Sequence, residues 1–248
     1  MASRDPLSEL AGERIVSRTP QDVADSVAHW IATRARRANE DRGSFSIALS
    51  GGSTPRLLNS LLAGPEWKDR IDWATWDVYF ADERACPPDD PASNFSLAET
   101  TLLTHVPIAP ERVHRMQAER ADLDAAAAEY SDLLATSLPT ATTGAPQLDL
   151  VLLGLGENGH TASLFPGTPA LEVTDRWATR GLADYAPFDR ITLTYPMINA
   201  AIAVGFMVTG AAKHEALAAT ARGEVPASHI RPTDGMLAWF LDAAAAAA

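Results

Sequence analysis

The sequence predicts a doubly wound α/β domain: a mostly parallel sheet with helices on both faces. Three observations lead there. Short apolar runs alternate with stretches of helical period along the chain. Two of those runs end in glycine-rich turns, at Gly51-Gly52 and between Gly154 and Gly159, where a strand hands over to the next element. The composition, 46% hydrophobic and 21% charged over 248 residues, suits a globular chain able to bury its own core. No internal repeat is visible, so one domain spanning residues 1–248 is expected.

Each element follows from local chemistry. Residues 14–17 read as a first short strand. Thr19-Pro20-Gln21-Asp22 then forms a capping box with proline in the first turn, where its missing N–H costs nothing. Val23, Val27, Trp30 and Ile31 continue at helical spacing, and Arg34, Arg36 and Arg37 complement the helix C-terminus. Residues 45–49 form a strand stopped by Gly51-Gly52, and Pro55 opens a helix carrying Leu57, Leu58, Leu61 and Leu62. A strand at 77–80 leads into a proline-rich loop, followed by helices over 95–103 and 123–134. Residues 139–146, rich in Thr, Ala, Gly and Pro, make a surface loop rather than a domain linker, because strands continue on both sides. The unbroken apolar run at 148–153 is a buried strand. Further strands are expected at 191–194, 201–208 and 236–240, with a helix over 211–221. Asp242 caps a terminal alanine-rich helix.

The charge balance, 20 Lys and Arg against 32 Asp and Glu for a net −12, argues against nucleic acid or anionic membrane as the main partner. It leaves room for a small anionic substrate held by a few local cations and backbone N–H groups. No apolar run approaches a membrane span or a signal segment. Cys86 is the lone cysteine, which fits a reducing compartment, so a cytoplasmic location is expected. No oligomer is evident from the sequence.

Four segments carry chemistry. Gly51, Gly52, Ser53 and Thr54 place free N–H groups, two hydroxyls and a helix N-terminus after a strand, which is what a phosphate needs; an ordinary capped turn needs less. No P-loop lysine follows, so a nucleoside triphosphate is not indicated. Gly154, Gly156 and Gly159 formally match a dinucleotide fingerprint, but Pro166-Gly167 cuts short the helix that motif requires. The glycines instead clear space around His160 at the carboxyl end of a strand. Asp82 and Arg84 also follow a strand end. Asp82 can orient His160 or a water, Arg84 can receive an oxyanion or the substrate's polar groups, and Glu83 reads best as part of a solvated turn. Arg190 begins a strand, and Lys213 in the first turn of a helix opposes the dipole unless an anion sits there as well. Asp89-Asp90 read as solvated, and the six histidines contain no paired-ligand motif, so no metal and no cofactor are expected. Cys86 has no base nearby.

Together SGGSTPRLL, DERACPPDDPASN, GLGENGHTASLFPG, RITLTYPMINAA and TGAAKHEAL, in this order, closely resemble the 6-phosphogluconolactonase family, with GHTASLFPG the most diagnostic. The resemblance runs from about residue 14 to residue 242. It implies a Rossmann-like domain related to glucosamine-6-phosphate deaminases and ribose-5-phosphate isomerases, a phosphorylated sugar lactone as substrate, and no cofactor. By the family pattern His160 is the base. The loop of Gly51, Gly52, Ser53 and Thr54, with Asn158, Gly159, Arg190 and Lys213, contacts the phosphate and sugar, and Asp82 and Arg84 lie near the reacting carbonyl. Many relatives carry aspartate where this chain has Asn158. The related deaminases carry an aspartate and a glutamate at the positions of Asn158 and Phe165. The expected reaction is hydrolysis of 6-phosphogluconolactone, with a deaminase or isomerase of the same superfamily, or a silent sugar-phosphate-binding module, as the competing readings. No serine-nucleophile elbow is present.

Overall fold

The side chain of Thr19 accepts the backbone N–H of Asp22 at 3.2 Å, and Gly43 at φ +76° closes the far end. The first helix, α1 (Pro20–Arg42), therefore starts and stops where capping chemistry dictates, behind strand β1 (Glu13–Ser17). The structure, a computed structural model, describes residues 6–247. Residues 1–5 and Ala248 lie outside it, and with them the start of the N-terminal stretch and the last alanine of the terminal run.

The chain continues through β2 (Phe45–Leu49), α2 (Ser53–Leu62), α3 (Pro65–Lys68), β3 (Trp76–Phe80), β4 (Asp82–Arg84), α4 (Asn94–Ala98) and α5 (Leu123–Ser137). It then forms β5 (Leu150–Leu153), β6 (Ala178–Leu182), β7 (Asp189–Leu193), α6 (Tyr195–Asn199), β8 (Ala203–Val208), α7 (His214–Ala221), β9 (Met236–Asp242) and α8 (Ala243–Ala246). Six strands pair, all in parallel, in the order β1-β9-β8-β5-β2-β3. The doubly wound α/β class is borne out. β2 and β5 are buried along their whole length, as their uninterrupted apolar character requires of central parallel strands. The Asp149 carboxylate locks the start of β5 to β2 by accepting the Ser46 N–H at 2.9 Å and its hydroxyl at 3.0 Å, while Arg42 neutralises it.

A second sheet lies beside the first, antiparallel, in the order β4-β7-β6. The sequence reading has β7 but neither of its neighbours. Asp82-Glu83-Arg84 carries no apolar residue, and Ala178–Leu182 has Arg and Gly at its centre, so neither announces a strand. Pairing with β7 makes both. Element boundaries also move. α2 starts at Ser53 rather than Pro55, residues 99–103 of the expected helix wind as a π-helical turn, and residues 211–213 form a 3-10 turn before α7. Residues 139–146 form a loop pinned by a bridge between Thr140 and Pro146.

One hydrophobic cluster joins the helices to both sheets, from Leu7 through Val23, Ile47, Leu152 and Phe206 to Ala245. Among the described residues no helix is long and apolar enough to cross a membrane. The chain leaves β2 towards β3 and returns to β5 on the other side of β2. The switch point, where α/β folds open a crevice, therefore lies beyond the carboxyl ends of β2 and β5.

Candidate active site

A cavity of about 490 Å³ occupies that crevice, a size suited to a small phosphorylated metabolite. Ser50, Gly51 and Gly52 line it from the end of β2, residues 154–158 and His160 from the end of β5, and Asp82 and Arg84 from β4. Asp184 and Tyr185, at the tip of the β6–β7 hairpin, and Lys213 complete the wall.

His160 sits in a tight turn. Gly156 donates its N–H to the His160 carbonyl at 2.8 Å, and Gly159 at φ +77° donates to the Gly156 carbonyl at 3.0 Å. The imidazole lies against the Cα of Gly156: a β-carbon there would stand 2.1 Å from the ring's Cε1 and Nδ1, so only glycine leaves the ring its place. Gly159 is likewise a turn residue, its Cα packed on Val225, rather than a wall of the cavity. His160 Nδ1 lies 2.6 Å from Asn158 Oδ1, which also accepts the His160 backbone N–H at 3.1 Å. Asn158 Nδ2 in turn donates to Asp184 Oδ2 at 3.1 Å. With an amide oxygen facing it, Nδ1 carries the ring proton and Nε2 keeps its lone pair. Burial pushes the imidazole down to about 4, helped by Lys213 and Arg190 and opposed by the Asp82 and Asp184 carboxylates. The ring is therefore neutral at physiological pH.

Asp82 does not touch His160. Its Oδ1 accepts Asn94 Nδ2 at 3.0 Å and its Oδ2 accepts the Ser163 hydroxyl at 2.6 Å, so this 7% exposed carboxylate ties β4 to the His160 loop and acts on the imidazole by charge. Of Asp82 and Asn158, the two groups that could orient the imidazole, Asn158 is the one in contact with it. Glu83 is not solvated, contrary to the sequence reading. It is 3% exposed and accepts the backbone N–H of Asn94 at 2.8 Å, that of Phe95 at 2.8 Å and the Ser93 hydroxyl at 2.9 Å. It staples β4 to the start of α4, and burial raises its carboxyl despite those donors.

Three cations, Arg84, Arg190 and Lys213, belong to the site. Arg84 and Arg190 stand opposite each other in the β4–β7 register, an arrangement that is unfavourable without an anion nearby. Arg84 Nη1 donates to the Ala92 carbonyl, while its buried Nε has no hydrogen-bond partner among the described residues. Arg190 is 1% exposed, its Nε and Nη2 without a hydrogen-bond partner among the described residues, and lies behind the cavity with its guanidinium 5.1 Å from the Tyr185 ring. Desolvation and Arg84 both lower its pKa. Lys213 lines the cavity and, among the described residues, makes no ion pair or side-chain hydrogen bond. Its turn is held by Asp242, whose carboxylate accepts the Gly210 N–H at 3.0 Å as well as capping α8 through the Ala245 N–H at 2.8 Å. Among the described residues no side chain caps α2, so its first-turn N–H groups stay open beside Gly51 and Gly52. Ser53 and Thr54 lie further along and do not line the cavity; Thr54 shares a hydrogen bond with Thr209 at 3.0 Å. Among the described residues no group of three or more His, Cys, Asp or Glu is placed to hold a metal ion. Cys86 is pushed up to about 11 by burial and by Glu83 and Asp90, so its thiolate is disfavoured.

Sequence reasoning overlooked Asp184 and Tyr185. The signal was a Pro-containing turn, Asp184 to Pro187, just before the strand at 191, and it was lost because β6 was not recognised. Ala162, at φ +47° on the cavity wall, is a strained non-glycine residue beside His160 that no sequence pattern announces.

A family profile described as glucosamine-6-phosphate isomerases/6-phosphogluconolactonase matches residues 18–239. A 6-phosphogluconolactonase from a Nostoc species is 43% identical over 222 residues, 88% of this chain and 90% of that one. One from a Synechocystis species is 42% identical over 217 residues, 86% and 88% of the two chains. The structure superposes on that of 6-phosphogluconolactonase from Trypanosoma brucei with a TM-score of 0.85 at 27% identity, covering 95% of this chain and 97% of the other.

Proposed function

The chain belongs to the glucosamine-6-phosphate isomerase/6-phosphogluconolactonase family and hydrolyses 6-phosphogluconolactone to 6-phosphogluconate, the lactone step of the oxidative pentose phosphate pathway, and we propose that His160 is its general base. The observation that carries this assignment is an imidazole, anchored at Nδ1 by Asn158, in the same cavity as Lys213 and Arg84. Nε2 takes a proton from water as that water attacks the lactone carbonyl. The Gly156 and Gly159 N–H groups are engaged within their turn. We place the oxyanion at the Gly51-Gly52 turn, where the uncapped first-turn N–H groups of α2 open, with Arg84 lining the same cavity. A single such donor contributes about 10²–10³ in rate. The imidazolium then returns its proton to the ring oxygen as the C–O bond breaks, giving the hydroxy acid.

Lys213 binds the phosphate directly, and Arg190 adds positive potential from behind Arg84. Asp82 favours the imidazolium that forms during attack. We read residues 1–248 as one domain working in the cytoplasm, in keeping with its continuous core and lone cysteine. Replacing His160 with alanine tests the base: turnover should drop by roughly 10²–10⁴ with the fold intact. A His160→Ala protein with near-native turnover removes the assignment.

A further inference from the structure

We propose that Asp184, at the tip of the β6–β7 hairpin, is a positioning residue for the reaction: its carboxylate fixes the orientation of the Asn158 amide and, through it, the tautomer of His160. The proposal rests on the reading of His160 as the base.

An asparagine amide can sit in its place either way round, and the two orientations have opposite consequences here. With Oδ1 inward it accepts from the imidazole Nδ1 at 2.6 Å and from the His160 backbone N–H at 3.1 Å, so Nε2 is bare and able to accept a proton. With Nδ2 inward the amide donates to Nδ1. The ring proton then moves to Nε2, and the base is blocked at the atom that faces substrate. What selects between them is the group on the outer side of the amide. Asp184 is that group. An ionised carboxylate only accepts, and its Oδ2 takes the Asn158 Nδ2–H at 3.1 Å, which leaves Oδ1 for the imidazole.

The hairpin is built to hold this contact. Ala183 donates its N–H to the Phe188 carbonyl at 2.7 Å and closes the tip. Tyr185 sets its ring edge-on to Phe165 with centroids 5.8 Å apart, and 5.1 Å from the Arg190 guanidinium. Asp184 is thus delivered to Asn158 by a tip whose next residue, Tyr185, packs against both Phe165 and Arg190. An aspartate at position 158 would not need it: its two oxygens are equivalent and both accept, so no wrong orientation exists, and Asp184 would face a like charge.

The test combines spectroscopy and a double-mutant cycle. Nitrogen-15 NMR of the His160 ring reports which nitrogen carries the proton without any turnover. The unaltered protein should show the Nδ1-protonated form, and Asp184→Ala should shift a measurable share to Nε2. The same variant should lose about tenfold in kcat with KM within about twofold, and in an Asn158→Asp background the loss from Asp184→Ala should shrink below about twofold. Asp184→Ser, too short to reach the amide, should repeat the alanine result and guards against a hairpin disturbed by alanine alone. An unchanged His160 tautomer in both variants, or an equal loss of kcat in the Asn158→Asp background, overturns the proposal. Failure of the base assignment is distinguishable, because it would leave the tautomer shift in place while His160→Ala kept its turnover.

Discussion

The ring of Phe165 lies flat against that of His160, their centroids 4.0 Å apart and their planes 19° from parallel. An aromatic face attracts a cation, which by itself would favour the imidazolium. The loss of water from the ring outweighs it, and the imidazole is held down at about 4. Phe165 is itself 2% exposed, so one face of the imidazole is covered by a buried ring.

The pH dependence follows directly. A desolvated imidazole gives up its proton more readily, so the base form persists as pH falls and is lost only near pH 4, below the usual histidine range around 6.5. An NMR titration of His160 in the free protein should give its midpoint there. Phe165→Ala, by admitting water to one face, should move it upward. A midpoint near 6.5 in the unaltered protein would contradict the desolvated site.

Phosphate recognition should depend on Lys213. A charge-assisted hydrogen bond contributes about 1.5–3 kcal/mol, so Lys213→Ala should lower kcat/KM for the phosphorylated lactone by about 10- to 100-fold. Hydrolysis of unphosphorylated gluconolactone, slow in either protein, should change little. Because Lys213 has no partner among the described residues, stability should stay within about 0.5 kcal/mol. Equal losses on both lactones would show that Lys213 serves something other than the phosphate.

Gly156 should tolerate no side chain. In Gly156→Ala the new methyl would stand 2.1 Å from the His160 ring, so the ring must leave Asn158 or the turn must open. Turnover should fall by at least about 10²-fold, approaching the loss expected from removing the base. Overpacking should also cost about 1–3 kcal/mol of stability in a denaturant titration. Wild-type kinetics in this variant would mean that the imidazole does not work from its observed position.

Ammonia release from glucosamine-6-phosphate should be undetectable, although the chain shares its family with isomerases. Moving protons between carbon and oxygen calls for several carboxylates around the reacting atoms. By the family resemblance, Asn158 and Phe165 stand where the related deaminases carry acids. Phe165 cannot transfer a proton, and Asn158 is committed to Asp184 and His160. A coupled assay that detects ammonia at a catalytic rate would overturn this.

Much of the molecule was legible in the sequence because its determinants are local. The Thr19 cap, the apolar period of the first helix and the continuous apolar run through Leu153 each signal their element within a few residues. Asp242 was legible as a helix cap for the same reason. The Gly-His turn marked the proposed base, since only glycine lets a backbone pass so close to an imidazole. Other features were decided by tertiary structure. Asp82-Glu83-Arg84 becomes a strand only when β7 lies beside it, and Glu83 becomes a buried staple only because the start of α4 arrives with N–H groups to fill its oxygens. The orientation of His160 likewise depends on Asn158 and on an aspartate 26 residues further on, brought together by a hairpin whose first strand has no apolar pattern to announce it. Capping and periodicity act between neighbours in the chain. Hydrogen bonds to a buried carboxylate, and the choice between two faces of an amide, act between neighbours in space, and those exist only once the two sheets have packed.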